Sequence, residues 1–507
     1  MKKIIALMLT LCLIFACIPV AFATDECDCG FNPVIYVAAL GSASVIKDAG
    51  TEDEITLFRP DTEYVISKAV EYILPVVPAL LVEEDFDAFG DALIGFVDEA
   101  FGDLALDNNG NSAENVSADT DLEVPTSSDH GLEHSFYFNY DFRLDPYEHA
   151  DRLNECIQQI KELTGHSKVQ LKASSMGGVV SMAYFERYGF NDVETMIFQC
   201  CPIKGTAVAG ELFTGKVEIN KNALINYATD AIPNLENDFF QGVLLCLVDV
   251  FEALGVWEFL VDKADIIVEK LQGRVYDEAL IPIFSAMPGI WSFVPDEYYE
   301  DAKEFMLNDE QQGVEAKIDA YHYNVQNEAE NILHAAVAAG VKTYIVAGYN
   351  VQRTPLVTAY MNTSDGTVDT KYASVGAICA DYGTSFESGY TQKINDGHDH
   401  LSDDMMIDAS TCALPEYTWF VKDMLHSTTH DGHGEMYDWM LTSDTQLDVH
   451  SNEKYPQFMQ NHVASQTFSE VTEEKSAFEE FTSEMSFTTF CRLLVSILQW
   501  LRGIFNR

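Results

Sequence analysis

The stretch from residue 168 to residue 198 constrains the fold most strongly, because strand-like and helix-like patterns alternate within it. Residues 168–172 and 193–198 have patterns typical of strands, and a helical pattern that reaches about Tyr188 lies between them. Two strands joined by a helix lie parallel in one sheet. This stretch therefore predicts a parallel sheet covered by helices.

The same alternation recurs along the chain. Residues 34–37 and 135–138 are candidate strands, and residues 147–164 carry apolar positions at helical spacing before a stop signal at Gly165. Residues 342–346 and 418–421 have the pattern of the last two strands of the sheet. The class indicated is α/β.

A turn of small residues joins the central strand to its helix, with the sequence Ala173-Ser174-Ser175-Met176-Gly177-Gly178. A sharp turn between strand and helix holds a serine in a strained, exposed position, and the residues two before and two after it must lack bulk. Ala173 and Gly177 meet this requirement. The turn predicts a nucleophile at Ser175 and an α/β-hydrolase fold: a mostly parallel sheet with helices on both faces.

A serine hydroxyl needs a base to take its proton and an acid to orient that base, and both follow the serine in this fold. Asp365 follows the strand-like run 342–346 within a Ser-Asp-Gly-Thr loop and is the predicted acid. Asp369 competes with it, and an ordinary turn aspartate is the alternative. His426 follows the run 418–421 and is the predicted base. The competing histidines are His398, His400, His430 and His433.

Attack on a carbonyl creates an oxyanion, which needs fixed N–H donors. The residue after the nucleophile, Met176, supplies one amide, and the loop after the first strong strand supplies the other, for which Leu40 is best placed. These two backbone N–H groups form the predicted oxyanion hole.

Two groups of side chains contain residue types that can bind a metal ion. They are His398, His400, Asp403 and Asp404, and the histidines His426, His430 and His433. Neither group shows a clear tetrahedral ligand pattern. We therefore expect no metal and no other cofactor.

The two ends of the chain differ from its body. A charged start, an apolar run and small residues at Ala21 and Ala23 predict a signal peptide at residues 1–23, with a membrane anchor or a lipoprotein attached at Cys17 as alternatives. Residues 466–489 are acidic and predict a linker. Residues 490–507 predict an amphipathic helix, which either lies in a membrane interface or docks on its own domain or on a second subunit.

The remaining domain boundaries follow from changes in the sequence pattern. Residues 207–335 combine long helical segments with prolines and little strand signal, which predicts a large helical lid inserted into the fold. The hydrolase core is then divided into residues 24–206, with the nucleophile, and residues 336–465, with the acid and the histidine.

Charge and cysteine content limit the surroundings of the protein. The formal net charge is −52, from 29 basic and 81 acidic residues, which argues against nucleic-acid binding and favours a soluble surface outside the cell. Of eleven cysteines, nine remain without Cys12 and Cys17, so at least one is unpaired within the chain. Cys27 and Cys29 lie just before the first strong strand, where a disulfide bridge would pin the amino terminus.

Several motifs carry a family resemblance. They are Asn139-Tyr140-Asp141-Phe142-Arg143, residues 164–169, the turn at Ser175, residues 202–206, residues 364–368 and the run into His426. Over roughly residues 30–430 the chain resembles the lecithin:cholesterol acyltransferase and phospholipid:diacylglycerol acyltransferase group of α/β-hydrolases, including bacterial lipase-like members. The resemblance implies Ser175, Asp365 and His426 as a triad and the Leu40 and Met176 amides as the oxyanion hole.

These features predict a secreted serine hydrolase or acyltransferase that acts on lipid or acyl esters. Association with the cell surface is an alternative to full secretion. A large lid favours a lipid substrate, because it can cover an apolar pocket. An amidase or peptidase with the same triad is one alternative. A catalytically inactive exported binding or envelope protein is another, because Ala39, Ala173 and Ser174 depart from the usual family pattern.

Overall fold

The structure is a computed structural model that describes residues 27–471 with several gaps. The residues left out within this range are 28, 59–67, 69–70, 74, 77–78, 81–82, 120–127, 219, 222, 224–255, 354–356, 427–430 and 463–464. The predicted signal peptide, the predicted C-terminal helix and most of the predicted acidic linker lie outside the described residues. Within the described part, no helix combines the length and apolar character needed to cross a bilayer.

Most of the strands belong to one large sheet. In the described residues the strands are β1 (Val34–Val37), β2 (Val45–Lys47), β3 (Ile55–Phe58), β4 (Val116–Ala118), β5 (Phe136–Phe138), β6 (Val169–Ser174), β7 (Val193–Gln199), β8 (Lys342–Tyr349), β9 (Ile378–Cys379), β10 (Ile407–Asp408), β11 (Thr418–Lys422), β12 (Phe458–His462) and β13 (Thr467–Glu470). The large sheet has eight strands in the order β13-β12-β11-β8-β7-β6-β1-β5. All its pairings are parallel except that of β12 with β13.

Helices connect the strands. The described α-helices are α1 (Phe86–Phe101), α2 (Pro146–Thr164), α3 (Gly177–Tyr188), α4 (Ala207–Phe213), α5 (Val256–Val275), α6 (Ile281–Phe284), α7 (Pro288–Trp291), α8 (Asp296–Met306), α9 (Gln312–Tyr321), α10 (Ala329–Ala338), α11 (Thr370–Ala373) and α12 (Asp431–Thr442). Single π-helical turns span Tyr276–Leu280 and His322–Gln326. Helices α4 to α10 lie within residues 207–335 and just beyond, and the described part of that segment holds no strand.

Both faces of the large sheet are buried. Along β7, Met196 and Phe198 join the larger apolar cluster, which includes residues of α2, α3 and α10. Ile197 between them joins a second cluster with Tyr437 and Met440 of α12. Because neighbouring side chains of a strand point to opposite faces, helices cover both sides of the sheet. Together with the strand order and the turn after β6, this is the α/β-hydrolase fold predicted from the sequence.

Helix α2 shows why its sequence signal was clear. The Asp145 carboxylate caps its start by accepting a hydrogen bond from the Tyr147 amide at 2.9 Å, and Pro146 occupies the first turn. Gly165 ends the helix in the left-handed conformation, with φ of 71°.

The strands that come latest in the described chain correct one prediction. The runs at residues 342–346 and 418–421 are not the last two strands, because β12 and β13 follow them. Strand β13 also occupies the first residues of the segment 466–489 that was predicted as an acidic linker, so the sheet extends past the predicted boundary at residue 465. These strands have a weak sequence signal because β12 buries polar residues such as Gln460 and Asn461, and β13 is a largely exposed edge strand.

Candidate active site

Ser175 lies in a strained turn between β6 and α3. Its φ is 51°, a left-handed value that non-glycine residues rarely adopt. A Cβ atom on Gly177 would lie 2.2 Å from the carbonyl oxygen of Val37, and one on Gly178 would lie 2.4 Å from the Cβ of Cys201. Ala173 is fully buried and pairs with Val37 across the sheet. The turn therefore requires small residues around the serine, as its sequence suggested.

The three residues predicted to act together are in contact. The Nε2 atom of His426 lies 2.8 Å from Oγ of Ser175, and its Nδ1 atom lies 2.8 Å from Oδ2 of Asp365. Asp365 is 1 % exposed and Ser175 is 9 % exposed, so both groups are shielded from bulk water. The imidazole bridges a hydroxyl and a carboxylate, which is the arrangement that lets a histidine take a proton from a serine.

Backbone groups hold the Asp365 carboxylate in place. Its Oδ1 atom accepts hydrogen bonds from the amides of Thr367 at 2.9 Å and Val368 at 2.7 Å, which leaves Oδ2 for His426. The His426 amide donates to the Asp365 carbonyl at 2.8 Å. A Cβ on Gly348 of β8 would lie 2.7 Å from the Asp365 Cβ, so the glycine gives the loop room to approach the strand.

Asp369, the competing acid, is part of a different network. Its carboxylate lies 2.8 Å from the Arg353 guanidinium, and both side chains are fully buried. It also accepts hydrogen bonds from the amide of Ala207, at the start of α4, and from the side chain of Asn362. These partners tie α4 to the loop that carries Asp365, which is a structural role.

The competing histidines lie in other environments. His433 is buried on α12, where its ring packs against Phe468, and His430 lies outside the described residues. The Nδ1 atom of His400 lies 2.8 Å from Oε1 of Gln457. Among the candidate histidines that the structure describes, only His426 contacts Ser175.

The structure does not bring together the first group that was considered for a metal, namely His398, His400, Asp403 and Asp404. Asp404 contacts Tyr349 and Lys422 rather than the two histidines. His398 and His400 instead face two other carboxylates, with His400 Nε2 3.2 Å from Asp396 Oδ2 and 3.5 Å from Glu416 Oε1.

The predicted oxyanion donors belong to the turn itself, at Met176, and to the loop after β1, at Leu40. Tyr140 donates a hydrogen bond to the Ala38 carbonyl at 2.7 Å, which fixes the loop that leads to Leu40. The packing of Gly177 against Val37 brings this loop next to the start of α3. In the described residues, neither the Leu40 amide nor the Met176 amide donates a hydrogen bond to the protein. Within the part of the chain that the structure describes, both N–H groups are therefore available to a ligand.

Burial and charge act in opposite directions on the pKa of His426. Burial alone would lower this pKa, because it disfavours the imidazolium. The Asp365 carboxylate outweighs burial through its charge and its hydrogen bond, and it raises the pKa of His426 above the ordinary value of 6.5.

Sequence reasoning missed the position of Cys200. Its Sγ atom and the ligand atoms of Asp365 and His426 all lie within 4.8 Å of one another. Burial, and then the neighbouring Asp365 charge, raise the pKa of the Cys200 thiol well above its usual range, so the thiol is neutral. The available signal was positional, because Cys200 directly follows β7, which lies between the strands that lead to Ser175 and Asp365.

An apolar cavity of about 500 Å³ adjoins the acid loop. Its walls come from α4, from the helical segment between residues 276 and 306, and from Gly366 and Thr367, which directly follow Asp365. The remaining lining residues are Thr206, Val208, Ala209, Leu212, Phe213, Tyr276, Leu280, Phe284, Ile290, Phe293 and Met306. The cavity is therefore mainly apolar and lies beside the loop that carries Asp365.

Comparisons with known proteins give little beyond this geometry. No protein-family model and no curated protein matches the sequence. A chain of the Tle4-Tli4 complex is 12 % identical, with a TM-score of 0.26, and the match covers 62 % of this chain and 74 % of that one. A substituted form of a meta-cleavage product hydrolase, CumD, is 14 % identical, with a TM-score of 0.14, and the match covers 46 % and 60 %. Likenesses this low carry no argument about activity, and the fold assignment rests on the sheet and the turn at Ser175.

Proposed function

We propose that this chain is an exported serine hydrolase or acyltransferase that acts on lipid-like esters. The observation that carries the proposal is the hydrogen-bonded row from Ser175 through His426 to Asp365. A serine, an imidazole and a buried carboxylate in this order have the geometry of nucleophilic catalysis.

In the proposed mechanism, Ser175 Oγ attacks the acyl carbonyl while His426 Nε2 takes its proton. Asp365 holds the imidazole through Nδ1 and stabilises its charged form. The amides of Leu40 and Met176 donate hydrogen bonds to the oxyanion that develops on the carbonyl oxygen. His426 then protonates the leaving alcohol. Water or an acceptor alcohol, activated by the same histidine, finally releases the acyl group.

The apolar cavity supports an acyl chain as the part of the substrate that is recognised. Burial of each methylene contributes about 0.8 kcal/mol, so a long chain gains much more than a short one. The cavity walls offer few partners for a peptide backbone, which needs hydrogen bonds when it is buried. Lipid-like esters are therefore favoured over peptide amides.

Export and surface contact remain parts of the proposal that rest on sequence. The signal-like start and the net charge of −52 support a location outside the cell. The proposed membrane contact through residues 490–507 concerns a segment outside the described residues.

A filled cavity should shorten the preferred acyl chain. Replacement of Ala209 by phenylalanine places a ring among the lining residues of α4, so kcat/KM for long-chain esters should fall by tenfold or more, since about two lost methylene contacts already have this effect. Short-chain esters should be cleaved at nearly the wild-type rate. The measurement is kcat/KM over a series of esters of increasing acyl length, with peptide amides included.

Ala335 provides a matched control for the Ala209→Phe variant. It lies on the exposed side of α10, away from the cavity, so Ala335→Phe should leave the chain-length profile unchanged. If wild-type protein hydrolyses peptide amides but no ester, the lipid-ester proposal is wrong. If Ala209→Phe leaves the dependence of kcat/KM on acyl length unchanged, the cavity does not bind the acyl chain.

The acid side of the pH profile should report on His426. The imidazole must be neutral to accept the serine proton, so kcat/KM should fall as the pH drops through the pKa of His426. Because the Asp365 carboxylate raises this pKa, the midpoint should lie above the ordinary value of 6.5. The profile should be recorded with two esters that have different leaving groups. A midpoint that moves with the ester, or that lies below the ordinary value, would contradict the assignment.

A further inference from the structure

Two cysteines and two histidines lie close together at the amino ends of the strands, whereas Ser175 lies at the carboxyl ends. One ligand atom from each of Cys27, Cys29, His130 and His166 can be chosen so that all four lie within 4.8 Å of one another. The Sγ atom of Cys29 is 3.3 Å from Nε2 of His130 and 3.4 Å from Nε2 of His166. The two imidazole rings lie 4.6 Å apart, nearly perpendicular, with an interplanar angle of 81°.

These separations match those of ligands around one tetrahedral zinc ion. With Zn–S bonds of about 2.3 Å and Zn–N bonds of about 2.0–2.1 Å, a tetrahedral arrangement separates sulfur from nitrogen by roughly 3.6 Å. Two thiolates and two neutral imidazoles would neutralise the charge of the ion. Thiolate and imidazole ligands in this number are the set that structural zinc sites use.

The hydrogen bonds behind the histidines orient both rings toward a common point. The Nδ1 atom of His166 lies 3.0 Å from Oδ1 of Asn32, and that of His130 lies 2.9 Å from the Ser128 carbonyl. The Ser128 carbonyl can only accept a hydrogen bond. The Asn32 side chain also presents its oxygen to His166, because its NH₂ group donates to Glu194. Each Nδ1 therefore carries the proton and each Nε2 keeps its lone pair directed at Cys29. Metal-binding histidines are commonly fixed in this way.

The four residues are distant from one another in the sequence, and the order of the strands in the sheet brings them together. Cys27 and Cys29 precede β1, His130 precedes β5 and His166 precedes β6, and these three parallel strands are neighbours in the sheet. The amino ends of these strands therefore lie side by side, whereas Ser175 follows the carboxyl end of β6. The Cys27 amide also donates to the Gly165 carbonyl at 3.1 Å, beside His166.

We propose that Cys27, Cys29, His130 and His166 bind one structural zinc ion. This inference replaces the expectation of no metal and does not depend on the proposed hydrolase activity. The ion fastens the amino-terminal segment and the short edge strand β5 to the centre of the sheet. The proposed site also gives both cysteines a role as thiolates instead of as members of a disulfide bridge, and in the structure both are free thiols.

The first test is metal content. Full-length protein, purified under reducing conditions, incubated with zinc sulfate and desalted, should retain one zinc per chain by inductively coupled plasma mass spectrometry. The variants Cys29→Ser and His166→Gln should lose this zinc. His398→Gln is the control and should retain the zinc, because it changes a histidine beside Asp396 and Glu416, away from the proposed site. Absence of retained zinc in wild type, or equal retention in all variants, would overturn the proposal.

Cobalt provides a readout that does not depend on whether the variants fold. Wild-type protein loaded with Co²⁺ should show the intense visible absorption and the thiolate-to-metal charge-transfer band of a tetrahedral site with sulfur ligands. Iodoacetamide should modify Cys27 and Cys29 after chelation and spare them in the zinc-loaded protein. A cobalt spectrum without thiolate bands, or a Cys27–Cys29 disulfide in freshly purified protein, would overturn the site.

Discussion

Replacement of Ser175 by alanine should abolish ester hydrolysis, with kcat lowered roughly 10⁴- to 10⁶-fold. The expected loss is large because no acyl-enzyme forms without Oγ, while the proposed oxyanion donors, the Leu40 and Met176 amides, would still favour attack by water. The same variant should no longer react with a fluorophosphonate probe, which forms a covalent bond only with an activated nucleophile. Labelling detected by intact-protein mass, together with steady-state rates, measures both effects.

Ser174 supplies the matched control for this experiment. It is the neighbouring residue on β6 and carries the same hydroxyl group, but His426 bonds to Ser175. Ser174→Ala should therefore retain labelling and most of the activity. Folded wild-type protein that fails to label would support the inactive binding protein instead. Labelling that persists in Ser175→Ala would assign the nucleophile to another residue.

Local patterns in the sequence were sufficient to predict the centre of the fold. Strand β6, helix α3 and strand β7 each have a local apolar pattern that indicates its type, and the small residues between Ala173 and Gly178 have a specific steric reason. Helix α2 carries its own cap and stop signals at Asp145 and Gly165. Such features depend on residues close together in the chain, so they can be read without a structure.

Features that depend on distant residues could not be predicted in this way. Strands β12 and β13 are held by pairing to β11 and to each other, and their own residues are too polar to signal burial. The contact of Cys200 with Asp365 depends on the order of the strands in the sheet. The four proposed zinc ligands are likewise spread over three connections, so their spacing forms no recognisable motif.

The choice between Asp365 and Asp369 shows the same limit within one loop. The two residues are separated by only three others, and both follow β8 in sequence, so chain order cannot distinguish them. The structure distinguishes them by their partners: His426 for Asp365 and Arg353 for Asp369. This difference predicts opposite consequences for the two corresponding asparagine variants.

Asp365→Asn should lower kcat by about 10⁴-fold while it leaves the free energy of unfolding nearly unchanged. The asparagine oxygen can still accept hydrogen bonds from the Thr367 and Val368 amides, so the loop should keep its shape. The imidazole, however, loses the charge that stabilises its protonated form. Rates and denaturant unfolding of the same preparation separate the two effects.

Asp369→Asn should do the reverse, lowering the free energy of unfolding by about 3–5 kcal/mol while the protein that remains folded keeps most of its kcat. Apart from its ion pair with Asp369, the Arg353 guanidinium has no hydrogen-bond partner among the described residues, so the variant leaves a buried charge uncompensated. Chemical denaturation and active-site titration of the folded fraction measure the two quantities. If Asp369→Asn abolishes turnover in folded protein while Asp365→Asn remains active, Asp369 is the acid and the role assigned to Asp365 is wrong.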